Sequence, residues 1–135
     1  MYAGGYFGFI GGQPRLNLVA LDLTTGLANS WDPSIGGGGV ICLATDGSGN
    51  IYAGGDFISV GWSKRKFIAA FNATTGQVTS WAPEASNIVE ELAFFNNTVY
   101  AGGDFFFFFG QSRNRIAGLN TTNGNATTFN PNPSA

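Results

Sequence analysis

The sequence predicts an all-β protein built from repeats, and three observations carry that prediction. Tyr-Ala-Gly-Gly occurs at Tyr2, Tyr52 and Tyr100, and each copy opens the same order of apolar runs, a Thr-Thr-Gly-like turn and an aromatic-x-Pro close. Short β-branched and aromatic runs alternate with Gly/Asn/Asp/Thr clusters, and no stretch shows helical period. Length differences between copies fall only in connections, which is where a fixed strand scaffold tolerates them.

The first repeat spans residues 2–33, the second 40–83 and the third 88–131. Arg15, Gly26 and Trp31 align without a gap on Arg65, Gly76 and Trp81, and Arg113, Gly124 and Phe129 follow in the third copy. In the second repeat the pattern predicts strand a at Val40–Thr45, strand b at Ile51–Phe57, strand c at Phe67–Asn72 and strand d at Val78–Trp81. The turn Asp46–Asn50 joins a to b. Thr74-Thr75-Gly76 joins c to d as a tight hairpin in which Gly supplies positive φ. Four antiparallel strands in such a unit describe a β-propeller blade. The paired glycines at 4–5, 54–55 and 102–103 are read as bulges, or as places where strand b meets another backbone closely.

Tyr100-Ala-Gly-Gly-Asp-Phe105, Gly110-Gln-Ser-Arg-Asn-Arg-Ile-Ala-Gly-Leu-Asn120 and Thr128-Phe-Asn-Pro131 resemble the delta-sixty repeat of β-propellers, found in bacterial surface proteins and similar to repeats of fungal cortical-marker proteins. The resemblance covers almost the whole chain. It implies a non-enzymatic propeller outside the cytoplasm and brings no catalytic residues with it.

The first repeat begins at strand b, so residues 1–135 hold about three blades, the first lacking its innermost strand. An absent strand leaves about three inward apolar contacts unmade at ~1.5–3 kcal/mol each, comparable with the ~5–15 kcal/mol that holds a domain together. The partners expected are therefore the remaining blades of a longer chain, or copies of this chain in a ring or an open filament.

Composition agrees with an extracellular or cell-surface setting. Only 10% of residues are charged, and the single cysteine, Cys42, has no partner for an internal disulfide. A net charge of −2 speaks against generic nucleic-acid binding, and no apolar run is long enough for membrane insertion as a helix.

The special residues segregate. Arg15, Lys64, Arg65, Lys66, Arg113 and Arg115 all lie in or beside the b–c connection. The Asn-x-Thr sequons, at Asn72, Asn96, Asn120 and Asn125, lie at the a–b and c–d turns. Antiparallel strands put these two sets at opposite ends of the repeat. One end is then basic and aromatic, the other a candidate for glycosylation. An alternative reading pairs the arginines structurally with Asp56 and Asp104.

Phe105, Phe106, Phe107, Phe108 and Phe109 form the most unusual segment. Five rings at ~150–250 Å² each exceed what a soluble monomer leaves in water. About half are expected in the core between repeats, the rest in contact with another protomer or domain. With Trp62, Arg15, Lys64, Arg65, Arg113 and Arg115 they make up the candidate interaction set.

Catalysis finds no constellation. The chain has no His, so no Ser-His-Asp or Cys-His set exists, and it has no phosphate loop. Glu90 and Glu91 are adjacent in a strand and point to opposite faces. Asp46, Ser48 and Asn50 alternate as calcium-loop ligands do but lack the later acidic ligand, so they read as a hairpin turn. No metal and no cofactor is expected. The function expected is assembly or protein-interaction scaffolding, with carbohydrate or surface-ligand binding as the alternative.

Overall fold

A computed structural model describes residues 1–134, and every regular element among them is a β-strand. The first repeat contains β1 (Tyr2–Gly4), β2 (Phe9–Ile10), β3 (Gln13–Pro14) and β4 (Leu18–Ala20). A short β5 (Ile35–Gly36) leads into the second repeat, with β6 (Val40–Thr45), β7 (Asn50–Gly55), β8 (Ser59–Val60), β9 (Ser63–Lys64) and β10 (Ile68–Asn72). The third holds β11 (Val89–Phe95), β12 (Thr98–Gly103), β13 (Phe107–Phe108), β14 (Gln111–Ser112) and β15 (Ile116–Asn120).

The second and third repeats each form an antiparallel three-stranded sheet, in the orders β6-β7-β10 and β11-β12-β15, while the first keeps the pair β1-β4. Strand a lies where the sequence placed it. Strand b ends earlier, at Gly55, and strand c starts one residue later, at Ile68.

The expected strand d is corrected to a stub. One antiparallel bridge per repeat, Leu21 to Ala28, Phe71 to Val78 and Leu119 to Ala126, is all that forms beside strand c. The chain then leaves its own sheet, because Trp31 and Trp81 swing onto the following repeat and a Pro two residues on has no N–H to give a ladder. A second correction concerns the b–c connection, which is itself a small hairpin: β2-β3, β8-β9 and β13-β14.

The paired glycines do mark bulges and close approach. Val40 faces Gly55 while Cys42 faces Gly54, so Ile41 is an extra residue in β6; Glu90 is the extra residue of β11. The carbonyl of Gly39 occupies the place a Cβ on Gly55 would take, and that of Ile88 does the same at Gly103. The first glycine of each pair has another role. Val40 of the second repeat seats on Gly4 of the first, and Val89 of the third on Gly54 of the second.

The core lies between repeats. Leu18, Trp31, Val40, Ala53, Ala69 and Phe71 belong to one buried cluster, at the first junction. Tyr52, Ile68, Ala70, Trp81, Val89 and Val99 belong to another, at the second. Alternate residues of β10 face alternate clusters, so the middle sheet is buried on both sides.

Each junction is closed by a tryptophan. Trp31 Nε1 donates to the Asn72 carbonyl at 2.9 Å and Trp81 Nε1 to that of Asn120 at 2.8 Å. Tyr2 and Tyr52 meet these indoles edge-on at 5.0 and 5.1 Å.

A Cβ added at Gly54 would lie 2.6 Å from Val89 Cγ1 and 2.7 Å from Cys42 Sγ, whereas one at Gly102 meets nothing nearer than Glu91 Cβ at 3.7 Å. Gly54→Ala should therefore cost about 1–3 kcal/mol by overpacking. Gly102→Ala should stay within roughly 0.5 kcal/mol of the parent. Urea unfolding midpoints of the two variants check this contrast, and equal losses would contradict it.

Candidate functional site

The b–c hairpins build one continuous end of the molecule. Gly11 and Gly12 (φ 59° and 76°) and Phe109 and Gly110 (φ 50° and 78°) form two-residue turns with both φ values positive, the hand that matches strand twist. Each later hairpin is tied to the exit of the repeat before it. β5 pairs with β8, Gly61 N donates to Ser34 O at 2.9 Å, and Phe109 N donates to Glu84 O at 3.0 Å. The hairpins are therefore braced on two repeats at once.

On this frame the phenylalanine run divides. Phe105 and Phe108 are 0% exposed and meet edge-on with centroids 4.5 Å apart, whereas Phe106, Phe107 and Phe109 face solvent. Trp62 stands wholly exposed in the turn between β8 and β9, and Phe9 is exposed on β2. Phe109 is 65% exposed and holds a left-handed backbone. That conformation costs a non-glycine residue of its size about 1–2 kcal/mol, and its ring gains little burial in return.

The basic residues separate into two groups. Arg15, Arg65 and Arg113 are clamps inside their own repeats. Arg65 Nη1 donates to Lys64 O and Nη2 to Thr79 O, both at 2.9 Å; Arg15 bonds Pro14 O and Asn29 O; Arg113 bonds Ser112 O and Thr127 O. They tie the hairpin to the stub of strand d. The pairing with Asp56 and Asp104 is thus replaced by backbone carbonyls at these three positions. Arg115 does pair with Asp104, at 3.1 Å, while Asp56 accepts from Gly39 N at 2.7 Å. The proximity of the Tyr6 phenol to the Asp56 carboxylate lowers the Asp56 pKa and raises that of Tyr6.

Lys64 and Lys66 converge on Glu84 at 3.8 and 3.7 Å. Beside them an open cleft of about 500 Å³ runs between the second and third hairpins, lined by Lys66, Glu84, Ser86, Phe107 and Phe109 among others. Ser86 Oγ accepts from the Phe106 and Phe107 N–H groups. The cleft offers aromatic faces beside one cation and one anion, a surface for contact rather than an acid–base pair.

The opposite end carries the sequons. Ala73 N donates to Gly49 O and Thr121 N to Asn97 O, so the c–d and a–b turns lie side by side. Asn72 Oδ1 caps the N–H groups of Thr74 and Thr75, and Asn120 Oδ1 those of Thr122 and Asn123. Asn96 and Asn125 are exposed in turns. Asp46 is absorbed by its own loop: Oδ1 accepts from the Ser48, Gly49 and Asn50 N–H groups and Oδ2 from the Asn50 amide at 2.6 Å.

Cys42 is half-buried against Val89, and burial pushes its thiol up to about 12, so it is not a nucleophile at neutral pH. Glu90 and Glu91 are both exposed. No group of three or more His, Cys, Asp or Glu side chains able to hold a metal occurs among the described residues. Comparison with protein-family models, curated proteins and solved structures found no match to the chain.

Arg65→Ala removes two charge-assisted bonds and should cost about 1.5–3 kcal/mol, with Arg65→Lys nearly as damaging. Arg115→Ala removes an exposed pair and should cost less than about 1 kcal/mol. Chemical denaturation checks the order. At Asp46 partial burial opposes ionisation, but bonds from the Asn50 side chain and the Ser48 and Asn50 N–H groups outweigh it and bring the pKa from 3.8 to about 2. The loop's added stability is therefore full above the ordinary carboxylate pKa and is lost as pH falls through about 2. Amide shifts of Ser48 and Gly49 should titrate across that window, and Asp46→Asn should flatten the curve.

Proposed function

We propose that this chain is a non-enzymatic scaffold of β-propeller repeats, set outside the cell or on its surface, that engages other protein through its hairpin end. The delta-sixty resemblance supplies the propeller reading. The repeated sheet geometry supports it, since consecutive sheets pack face to face at two successive junctions, as neighbouring blades do. A copy of the chain or the remaining blades of a longer one are the first partners to consider.

The observation that carries the interaction reading is Phe109. A bulky ring at a hairpin tip, left-handed and exposed, is unfavourable for the isolated fold on two counts. Strain of this kind persists where a surface is used. Phe107, Phe106 and Trp62 extend the apolar area around it. Glycans on the sequon end would direct contacts to the hairpin end.

A second reading, a carbohydrate- or surface-ligand-binding module, is favoured by the cleft, where Phe107 and Phe109 adjoin Lys66, Glu84 and Ser86. With Arg65 and Arg113 committed to carbonyls, this reading rests on Lys64, Lys66 and Arg115 for an anionic ligand.

Phe109→Gly should raise the melting temperature by relieving about 1–2 kcal/mol of strain while weakening self-association. Sedimentation of the parent, Phe109→Gly, and Phe107→Asp with Phe109→Asp, at low and high salt, is the test. Salt-resistant assembly lost in both variants is expected. Assembly unchanged in both would remove the interface reading, and association lost only at high salt would favour the charged-ligand alternative.

A further inference from the structure

The outer face of the third repeat reproduces, position by position and with a few substitutions, the surfaces that are buried at the two internal junctions. In the second repeat, Tyr52, Gly54, Ile68 and Ala70 face the third, and Val89 of β11 covers Gly54. By register their counterparts are Tyr100, Gly102, Ile116 and Gly118. Among the described residues no other repeat covers them: Tyr100, Gly102 and Ile116 are half-buried, and Gly118 is closed over by Thr127 and Phe129 of its own repeat. Gly102 has only its own repeat within 4 Å, and Glu91, Ala93, Tyr100, Gly102 and Ile116 line an open depression of about 220 Å³. Tyr100 and Phe129 meet edge-on at 5.2 Å, as Tyr52 and Trp81 do, but with no further repeat beneath them.

Two positions depart from the internal pattern. Phe129 stands where Trp31 and Trp81 donate an N–H, so this junction forms without that bond. Glu91 stands opposite Gly102 as Cys42 stands opposite Gly54, so a carboxylate replaces a half-buried thiol. A carboxylate entering an interface requires a cation or donors beside it. At the second junction Cys42 Sγ lies 3.8 Å from the carbonyl of Val89, the residue before Glu90 in the next β11, so the positions of Glu90 and Glu91 are the ones that would approach Glu91 in turn.

We infer that this face docks the innermost strand of a further repeat of the same kind, with a β-branched residue over Gly102 and a basic residue at the position of Glu90 or Glu91 opposite the Glu91 carboxylate. Two interfaces of the same form already exist within the chain, and this face continues them. The inference rests on the repeat architecture of the proposed function and is independent of the hairpin end.

The test appends a second copy of residues 34–83 to the full chain, with Cys42→Lys in the appended copy, and follows hydrogen exchange of β12 and β15. The expected result is a gain in protection of about tenfold or more at Tyr100, Gly102 and Ile116. That gain should vanish on Gly102→Val and shrink when the appended copy carries Cys42→Glu. It should survive Phe107→Asp with Phe109→Asp, which separates this inference from the fate of the hairpin reading. No gain, a gain indifferent to Gly102→Val, or an appended repeat that stays unfolded would each overturn it. Self-association of the unextended chain that Gly102→Val abolishes would overturn the choice of occupant in favour of a second copy.

Discussion

The seat of a valine on a glycine of the neighbouring sheet is the contact on which the rest of the structure depends. Val40 on Gly4 and Val89 on Gly54 set how closely consecutive sheets approach. The approach is what lets Trp31 and Trp81 reach the carbonyls of Asn72 and Asn120. A side chain on either glycine would separate the sheets and withdraw both the packing and the indole bond. Stability in this arrangement is a property of junctions rather than of repeats, as expected when each unit contacts only its neighbours. The two buried clusters divide along those junctions.

The same constraint organises the ends of the molecule. Because the chain must leave strand c to bring its tryptophan to the next repeat, strand d stops at one bridge. The departing segment then runs past the next b–c hairpin and pairs with it, as Ile35–Gly36 does with β8 and Ala85 with Phe108. Hairpins braced in this way hold exposed aromatic groups at fixed positions, so little conformational freedom is left to lose on binding, which lowers the cost of association. Arg15, Arg65 and Arg113 serve the same bracing from inside. The basic character read at this end is therefore partly internal, and Lys64, Lys66 and Arg115 are what it presents outward.

Most of the fold was legible because the repeats could be compared with one another. Strand a, the c–d turns, the bulge glycines and the separation of sequons from basic residues all follow from aligned positions. Strand d was misread because the two apolar residues of Val78-Thr-Ser-Trp81 serve different junctions, Val78 the first and Trp81 the second, and a sequence does not state which sheet a side chain will enter. The b–c hairpins went unread although Gly11-Gly12 and Gly110 carry the turn signal. There the unbroken phenylalanine run gives no sign of which rings turn inward, and it hides the division between buried Phe105 and Phe108 and exposed Phe106, Phe107 and Phe109. The arginine clamps were not legible, since their acceptors are backbone carbonyls that every residue has.

Native-state hydrogen exchange across the whole chain tests the junction account most directly. The account predicts that β7 and β10, the sheet buried on both faces, exchange slowest, and that Trp81→Phe speeds exchange in both the second and third repeats. Equal protection in all three repeats, with the effect of Trp81→Phe confined to its own, would contradict it and make each repeat its own source of stability.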